Sequence, residues 1–405
     1  MKINILALDS ASSVCGVSLL EAHGGQVNVR SAHHSGSTQH AERILPLVED
    51  VLRAAKLSAS DLNAIAFAQG PGGFTGLRVA CGVAQGLAYA LGLQVAAVSS
   101  LLAIAAQQTP LEQESIEVVI TDARMQELYV GVYQRTATGW YSFHKPILIS
   151  VPQFQHYLQA LQQQQIALET QALIRISGDA LVAFEGLAQE LTASGYELGG
   201  TDLAHSETIA RLALLAYEQN SLIAPALAAP LYVRNRVAFT IAERETGLGG
   251  NPSANWQSVQ IRAMEKADSV AVAALEADLQ LTPWSEKQVL SSLEAGHWAW
   301  VAEFENKVIA YAILMPAADE CELLLLGVAK AHQRQGIAQQ LLCYAEQHAR
   351  AQGCKAVHLE VRISNSAAIE LYQSADYRRV GLRRSYYIDV NGQREDAVLY
   401  TKVIA

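Results

Sequence analysis

The 405-residue sequence predicts two α/β parts in tandem, and three observations carry this. Strand-like apolar runs alternate with helical patterns through the first 238 residues, in two successive sets. The stretch ERETGLGGNPSANW (243–256) concentrates Gly, Pro, Ser and Asn with no hydrophobic period, as a linker does. A further stretch, 257–405, carries its own strands and helices and is long enough for a separate core.

INILALDS (3–10) reads as a buried strand, and VCGVSLLE (14–21) as its partner after a Ser-rich turn. In 37–56, Ile44, Leu45, Val48, Val51 and Leu52 share one helical face. AIAFAQG (64–70) is a short strand, GLRVACGVAQGLAYALG (76–92) an Ala- and Gly-rich helix, and VAAVSS (95–100) a returning strand. SIEVVITDAR (115–124) and LYVGVYQ (128–134) open the second set, so lobes are expected over 1–108 and 109–238. Beyond a linker at 239–256, one mixed sheet is expected. Its plan is a helix at 264–277, a Trp-containing loop, and strands at 298–304, 307–315 and 322–328. A helix at 337–351, a strand at 355–361, a helix at 366–375 and strands at 385–390 and 396–402 complete it.

Composition narrows the function classes. With 51% hydrophobic and 17% charged residues, the chain is globular rather than disordered. A net charge of −10 disfavours phosphate-driven nucleic-acid binding by the whole surface. The apolar runs reach about a dozen residues where a membrane span needs about 20, so no membrane partner is expected. MKINILALDS reads as a strand, not a signal peptide. Five cysteines, an odd number without a Cys-x-x-Cys pair, suit reduced thiols in the cytoplasm.

GPGGFTGLR (70–78) places four glycines between a strand and a helix. Two readings stand: an anion cradle at a helix N-terminus, or a tight structural turn. Asp9, Ser10 and Ser12 carry the same ambiguity after the first strand. His33, His34 and His40 read as polar surface residues.

In the last third, Gln333-Arg334-Gln335-Gly336-Ile337-Ala338 opens a helix after the strand ending at Val328. Backbone N–H groups left uncovered there can hold a pyrophosphate without lysines. In VHLEVR (357–362), alternation puts Val357, Leu359 and Val361 on one face and His358, Glu360 and Arg362 on the other. Glu360 is then either a base in a cleft or half of a strand-end salt bridge with Arg362 or another cation. Tyr372 lies on the next helix, capped by Ser364 or Asn365.

LALDSASSVCGVSL (6–19), HAERILPLVEDVL (40–52), AFAQGPGGFTGLRVACGVAQGLAYALG (66–92) and DARMQELYVGVY (122–133) resemble the TsaB (YeaZ) family over residues 1 to about 238. The resemblance implies a two-lobed, degenerate actin-like (ASKHA) fold. It also implies a non-catalytic scaffold in making N6-threonylcarbamoyladenosine at position 37 of tRNAs reading ANN codons. The catalytic relative, TsaD, holds a metal with two helix-borne histidines; Ser100 and Ile104 stand at those places here, so no metal is expected. The implied partners are a TsaD-like protein and a TsaE-like ATPase, docked through helices at 38–55 and 76–92, with tRNA engaged only indirectly. Ala80, Gly82, Val83, Gly86, Leu87 and Ala90 are the candidate contact, with intramolecular core as the other reading for part of that face. ATP hydrolysis by this half is a weaker alternative.

The Gln/Arg-x-x-Gly-x-Gly/Ala pattern is the acetyl-coenzyme A signature of GNAT acyltransferases. TPWSEK (282–287), HLEVRISNSAAIELYQSADY (358–377) and RRSYYIDVNGQREDAVLY (383–400) are similar to RimI, over about 257–403. That family acetylates the N-terminal alanine of the eighteenth small-subunit ribosomal protein. The resemblance implies Glu360 as general base and Tyr372 as general acid. It implies acetyl-coenzyme A contacts at Val328, Gln333, Arg334, Gln335, Gly336, Ile337, Ala338 and Asn365. Trp284 and Ser285 would shape the peptide entrance. Leu325 departs from the family's usual Asn, and Ala375-Asp376-Tyr377 from its Leu-Gly-Phe. Alternatives kept open are acetylation of lysines or of the tRNA-modifying partners, and an inert coenzyme-A-binding module.

Overall fold

The computed structural model describes residues 2–36, 39–137, 139–167, 172–234, 259–333, 335–388, 392 and 394–404. The expected linker at 239–256 and Arg334 lie outside the described residues. The chain divides into two compact units, the first comprising Met1–Ser142, Pro146–Ser150 and Ala172–Ala254, the second Phe143–Lys145, Val151–Gln171 and Asn255–Ala405.

In chain order the first stretch gives β1 (Lys2–Asp9), β2 (Val14–His23), β3 (Gln26–Ser35), α1 (His40–Ala55), β4 (Ala64–Gly70), α2 (Phe74–Leu91), β5 (Gln94–Ser99) and α3 (Ser100–Gln107). Then follow β6 (Ser115–Asp122), β7 (Glu127–Thr136), β8 (Gly139–Ser150), α4 (Val151–Ala167), β9 (Leu173–Ser177), α5 (Ala180–Ala183), α6 (Leu187–Ala193), β10 (Glu197–Leu198) and α7 (Ser206–Glu218). They build two five-stranded sheets, ordered β3-β2-β1-β4-β5 and β10-β9-β6-β7-β8. The orders are the same pattern twice. In each sheet the first strand runs antiparallel to the second and the fourth parallel to the first.

Strand alternation divides the first sheet's core. Leu6, Leu8, Val17, Leu19, Ile65 and Phe67 pack with α1 and α2, while Ile5, Ala7, Leu20, Ala64 and Ala66 pack with α3 and α7. Each such large side chain, wholly buried, contributes about 1.5–3 kcal/mol. Strand β3, unforeseen in the sequence, is largely exposed, with polar residues interrupting its apolar ones. His40 corrects the surface expectation, being buried at the first turn of α1.

The second unit's remaining elements are β11 (Gln260–Ala263), α8 (Ser269–Leu279), α9 (Glu286–Glu294), β12 (Trp298–Phe304), β13 (Lys307–Ala317), β14 (Glu320–Val328), α10 (Ile337–Ala351), β15 (Ala356–Arg362), α11 (Ser366–Ser374), β16 (Arg378–Ile388) and β17 (Arg394–Val403). Two expectations are corrected: the Trp-containing loop includes α9, and the strand expected from 385 begins at Arg378. The seven strands are ordered β11-β12-β13-β14-β15-β17-β16. Met264, Val272, Val289, Val301, Tyr311 and Ile313 form the core between the sheet and α8 and α9. Trp298 and Trp300 meet His348 of α10, with ring centroids 4.9 and 5.1 Å away.

The sheet opens at one place. The parallel pair β14 and β15 is in register only over Glu320–Leu323 and Ala356–Leu359. Beyond it, β14 shifts register against β13 near Ile313 and Leu314 and stays with β13, while β15 stays with β17. Leu324–Val328 and Glu360–Arg362 therefore diverge, and their facing backbone edges are not joined by the ladder.

Candidate acyl-transfer site

Glu360 stands on β15 just past the point where the strands part. Val357, Leu359 and Val361 are buried on the opposite face, as the alternation predicts. The carboxylate accepts a hydrogen bond from Arg383 Nη1 at 2.8 Å and one from the Tyr386 hydroxyl. Tyr387 donates to the Glu360 backbone oxygen at 3.2 Å. Arg362, the cation named from the sequence, is engaged elsewhere. It donates to Glu395 at 2.7 Å and to Thr282 Oγ1 at 3.1 Å, and stacks 4.4 Å over the Tyr387 ring.

Edge strand β16 delivers these partners through a break in its register against β17 between Arg383 and Tyr387. Ser385 there has φ +51°, and its N–H donates to Asp396 Oδ1 at 2.8 Å. A bulge re-aims neighbouring side chains. Here it brings Arg383, Tyr386 and Tyr387 to one glutamate. Burial and the Glu360 charge push the Tyr387 hydroxyl up to about 12.

Tyr372 is buried on α11, its ring 5.7 Å from that of Tyr377. Burial first, then the neighbouring Tyr387, raise its pKa, so the phenol keeps its proton at neutral pH. Asn365 is the N-cap of α11, its Oδ1 accepting from Ala368 N at 3.1 Å, which decides between the two caps weighed. Its side-chain oxygen is thus engaged in the helix start.

The 328–338 loop is stiffened from within. Gln333 Nε2 donates to the Val328 carbonyl at 3.0 Å and Gln335 Nε2 to that of Ala331 at 3.4 Å. Gly336 precedes α10 with φ +78°, a left-handed conformation that costs glycine nothing. Ile337 is buried beneath it and Ala338 follows. Among the described residues no side chain caps this helix, so its first amides point outward with the positive end of the helix dipole. That cradle fits a pyrophosphate, and the parted strands fit an extended chain leading from it.

Trp284 and Ser285 start α9. Ser285 forms a capping box with Gln288, its N–H donating to Oε1 at 2.9 Å. Trp284 packs, partly buried, against the core and donates its N–H to Glu276 Oε2 at 3.0 Å. Both are therefore engaged structurally, beside the Thr282 that Arg362 holds.

Sequence reasoning missed Arg383, Tyr386 and Tyr387 as a set, and the buried Glu276–Tyr311 pair beneath the site. Tyr311 donates to Glu276, whose carboxyl burial drives above the ordinary carboxylate range. A single glutamate inside AVAALE was the available signal.

In the first unit, the 70–76 glycines serve close backbone approach. A Cβ on Gly76 would lie 1.7 Å from the Ser10 carbonyl oxygen, and Gly73 N donates to the Ala11 carbonyl at 2.7 Å. Ser10 Oγ donates to the Gly76 carbonyl at 2.8 Å. Asp9 is buried, and desolvation lifts its carboxyl to about 7. Ser100 and Ile104 are both buried in α3. Of the α2 face expected to be contact or core, Ala80 is core. Gly82, Gly86 and Ala90 are exposed, and Val83 and Leu87 are half-buried.

A mixed sheet opened between parallel strands and followed by an uncapped glycine-led helix defines the second unit as an acyltransferase of the GNAT class. Residues 264–377 match the family model described as Acetyltransferase (GNAT) family, and 34–239, half of the chain, match that described as TsaD: tRNA N6-adenosine threonylcarbamoyltransferase. The chain is 32% identical over 240 residues to the tRNA threonylcarbamoyladenosine biosynthesis protein TsaB of Escherichia coli (strain K12), covering 58% of this chain and 97% of that one. It is 34% identical over 139 residues to the [Ribosomal protein bS18]-alanine N-acetyltransferase of the same strain, covering 34% and 93%. The solved YeaZ from Pseudomonas aeruginosa covers 57% of this chain and 99% of its own, at 31% identity and a TM-score of 0.46. The chain belongs to the TsaB family through its first 240 or so residues and to the GNAT acetyltransferases through a RimI-like C-terminal part.

Proposed function

We propose that the C-terminal part transfers an acetyl group to the N-terminal alanine of the small-subunit ribosomal protein bS18. On this reading the N-terminal part is a non-catalytic scaffold of a TsaD-containing complex that makes N6-threonylcarbamoyladenosine at position 37 of tRNAs reading ANN codons. The domain plan is two lobes over 1–108 and 109–238, a linker over 239–256 and the transferase over 257–405. A TsaE-like ATPase joins the complex, tRNA is met through the partners, and the setting is cytoplasmic. Among the described residues no helix is long and apolar enough to cross a membrane.

The observation that supports transfer is Glu360 standing just past the place where β14 and β15 part, with Tyr372 on the helix that follows β15. Acetyl-coenzyme A, when bound, supplies the activated acetyl group. Gly336, Ile337 and Ala338 would hold its pyrophosphate with backbone amides, helped by the 333–335 loop, Val328 and Asn365. Glu360 takes the proton of the incoming amine, directly or through water. An α-amino group, with pKa about 7.7–8.0 against about 10.4 for lysine, gives up that proton far more readily. Tyr372, its proton held firmly, donates a hydrogen bond to the departing sulfur. The departing thiolate, whose thiol has a pKa near 8.5, is a weaker base than this phenolate, so hydrogen bonding to the sulfur is favoured over full proton donation. Trp284 and Ser285 fix the loop beside the amine's approach. No cysteine stands in these motifs, and burial pushes the Cys343 thiol up to about 12, which supports direct transfer.

The test is steady-state transfer to an alanine-initiated peptide by the full chain. Glu360→Gln should lower kcat about 10²–10⁴-fold with the acetyl-coenzyme A KM unchanged. An unchanged kcat removes Glu360 as the base.

A further inference from the structure

Glu360 has one cation on it among the described residues: Arg383, 2.8 Å from Oε1. The two side chains differ sharply in access. That of Glu360 is 13% exposed and that of Arg383 is 54% exposed. The backbone beneath Arg383 is pinned, because Ser385 N–H donates to Asp396 and Arg394 Nη1 donates to the Ser385 carbonyl at 3.1 Å. The guanidinium itself stands at the end of a long solvated stem, 5.3 Å from the Tyr386 ring centroid. A substrate ammonium brings the same charge to the same carboxylate.

We propose that Arg383 occupies, in the free protein, the position on Glu360 that the substrate's terminal ammonium takes, so that amine binding exchanges one cation for the other. This rests on the reading of Glu360 as the residue that receives the amine. The exchange gives Arg383 a positioning role at both ends of turnover. Before substrate arrives it satisfies a nearly enclosed carboxylate, which would otherwise be left without a charge partner. Once the amine has become an amide it carries no charge and no longer competes, and when Glu360 has released the proton it took to water its carboxylate is free again, so Arg383 returns and the neutral product loses its hold. The exposed guanidinium can leave because water solvates it as it swings away.

The experiment is calorimetric binding to the full chain saturated with coenzyme A, using an alanine-initiated peptide and the same peptide N-acetylated. Wild type, Arg383→Gln and Arg383→Lys are compared. Removing the competing charge should tighten the free-amine peptide about three- to tenfold in Arg383→Gln. Arg383→Lys should stay near wild type, and the acetylated peptide should bind all three alike. Free-amine binding that is unchanged or weaker in Arg383→Gln overturns the exchange, as does equal tightening of both peptides. Because binding is read without turnover, full kcat in Glu360→Gln would sink the base assignment and leave this result standing by itself.

Discussion

Gly327 and Tyr311 face each other across β13 and β14, and a Cβ at Gly327 would lie 2.2 Å from the Tyr311 hydroxyl oxygen. That hydroxyl is held by Glu276, whose other oxygen holds the Trp284 amide. A glycine next to Val328 thus admits the ring that ties β13, α8 and the start of α9 together. Gly327→Ala should cost about 1–3 kcal/mol or more, as overpacking does. Urea unfolding would check it. Tyr311→Phe should lose about 1–3 kcal/mol by leaving a buried carboxyl short of a partner.

Asp376 has φ +66° at the end of α11. An L-residue in that conformation is strained. Asp376→Gly should stabilise the protein by about 0.5–1 kcal/mol, seen as a higher Tm with kcat unaltered.

Asp9 gives a pH dependence of definite sign. Its carboxyl is lifted from 3.8 to about 7 by burial, so between those values the folded state binds more protons than the unfolded one. The contribution is fully present below pH 4 and is lost as pH rises through 7. Asp9→Asn should therefore flatten stability between pH 4 and 7 and stabilise the protein by about 1–4 kcal/mol at pH 8. Denaturant curves at pH 4.5 and 8 check both halves of the statement.

Gly82 and Gly86 are exposed on α2 with open space where a Cβ would project. Close helix approach is what such positions offer a partner. Gly86→Arg should leave the fold intact, even gaining helix propensity. Affinity for a TsaD-like partner should fall at least about tenfold, measured by calorimetry. Unchanged affinity would place the docking surface elsewhere.

Strongly periodic or buried segments were legible in the sequence: β1, α1, α10 and β15 lie within a few residues of expectation. What was missed had a weak or shared signal. β3 is an edge strand of largely exposed, mostly polar residues, and α9 is short and opened by a Trp-Ser pair that reads as a loop. The two successive sets of elements were legible, but their shared strand order was not, because topology repeats without sequence repeating. His40 misled because a polar residue near a turn reads as surface, whereas the tight approach of Gly76 to Ser10 closes the space around it. Glu360 was found from alternation and resemblance. Its partners were not, because a register break on a distant strand delivers them, and register breaks leave little trace in composition.

Mass spectrometry of two peptides incubated with the whole chain and acetyl-coenzyme A separates N-terminal from lysine acetylation. One peptide begins with a free alanine; the other is N-terminally blocked and carries an internal lysine. Acetylation of the alanine peptide alone, lost in Glu360→Gln, is the expected result. Preference for the lysine peptide, or no transfer by a folded chain that binds coenzyme A, would contradict it.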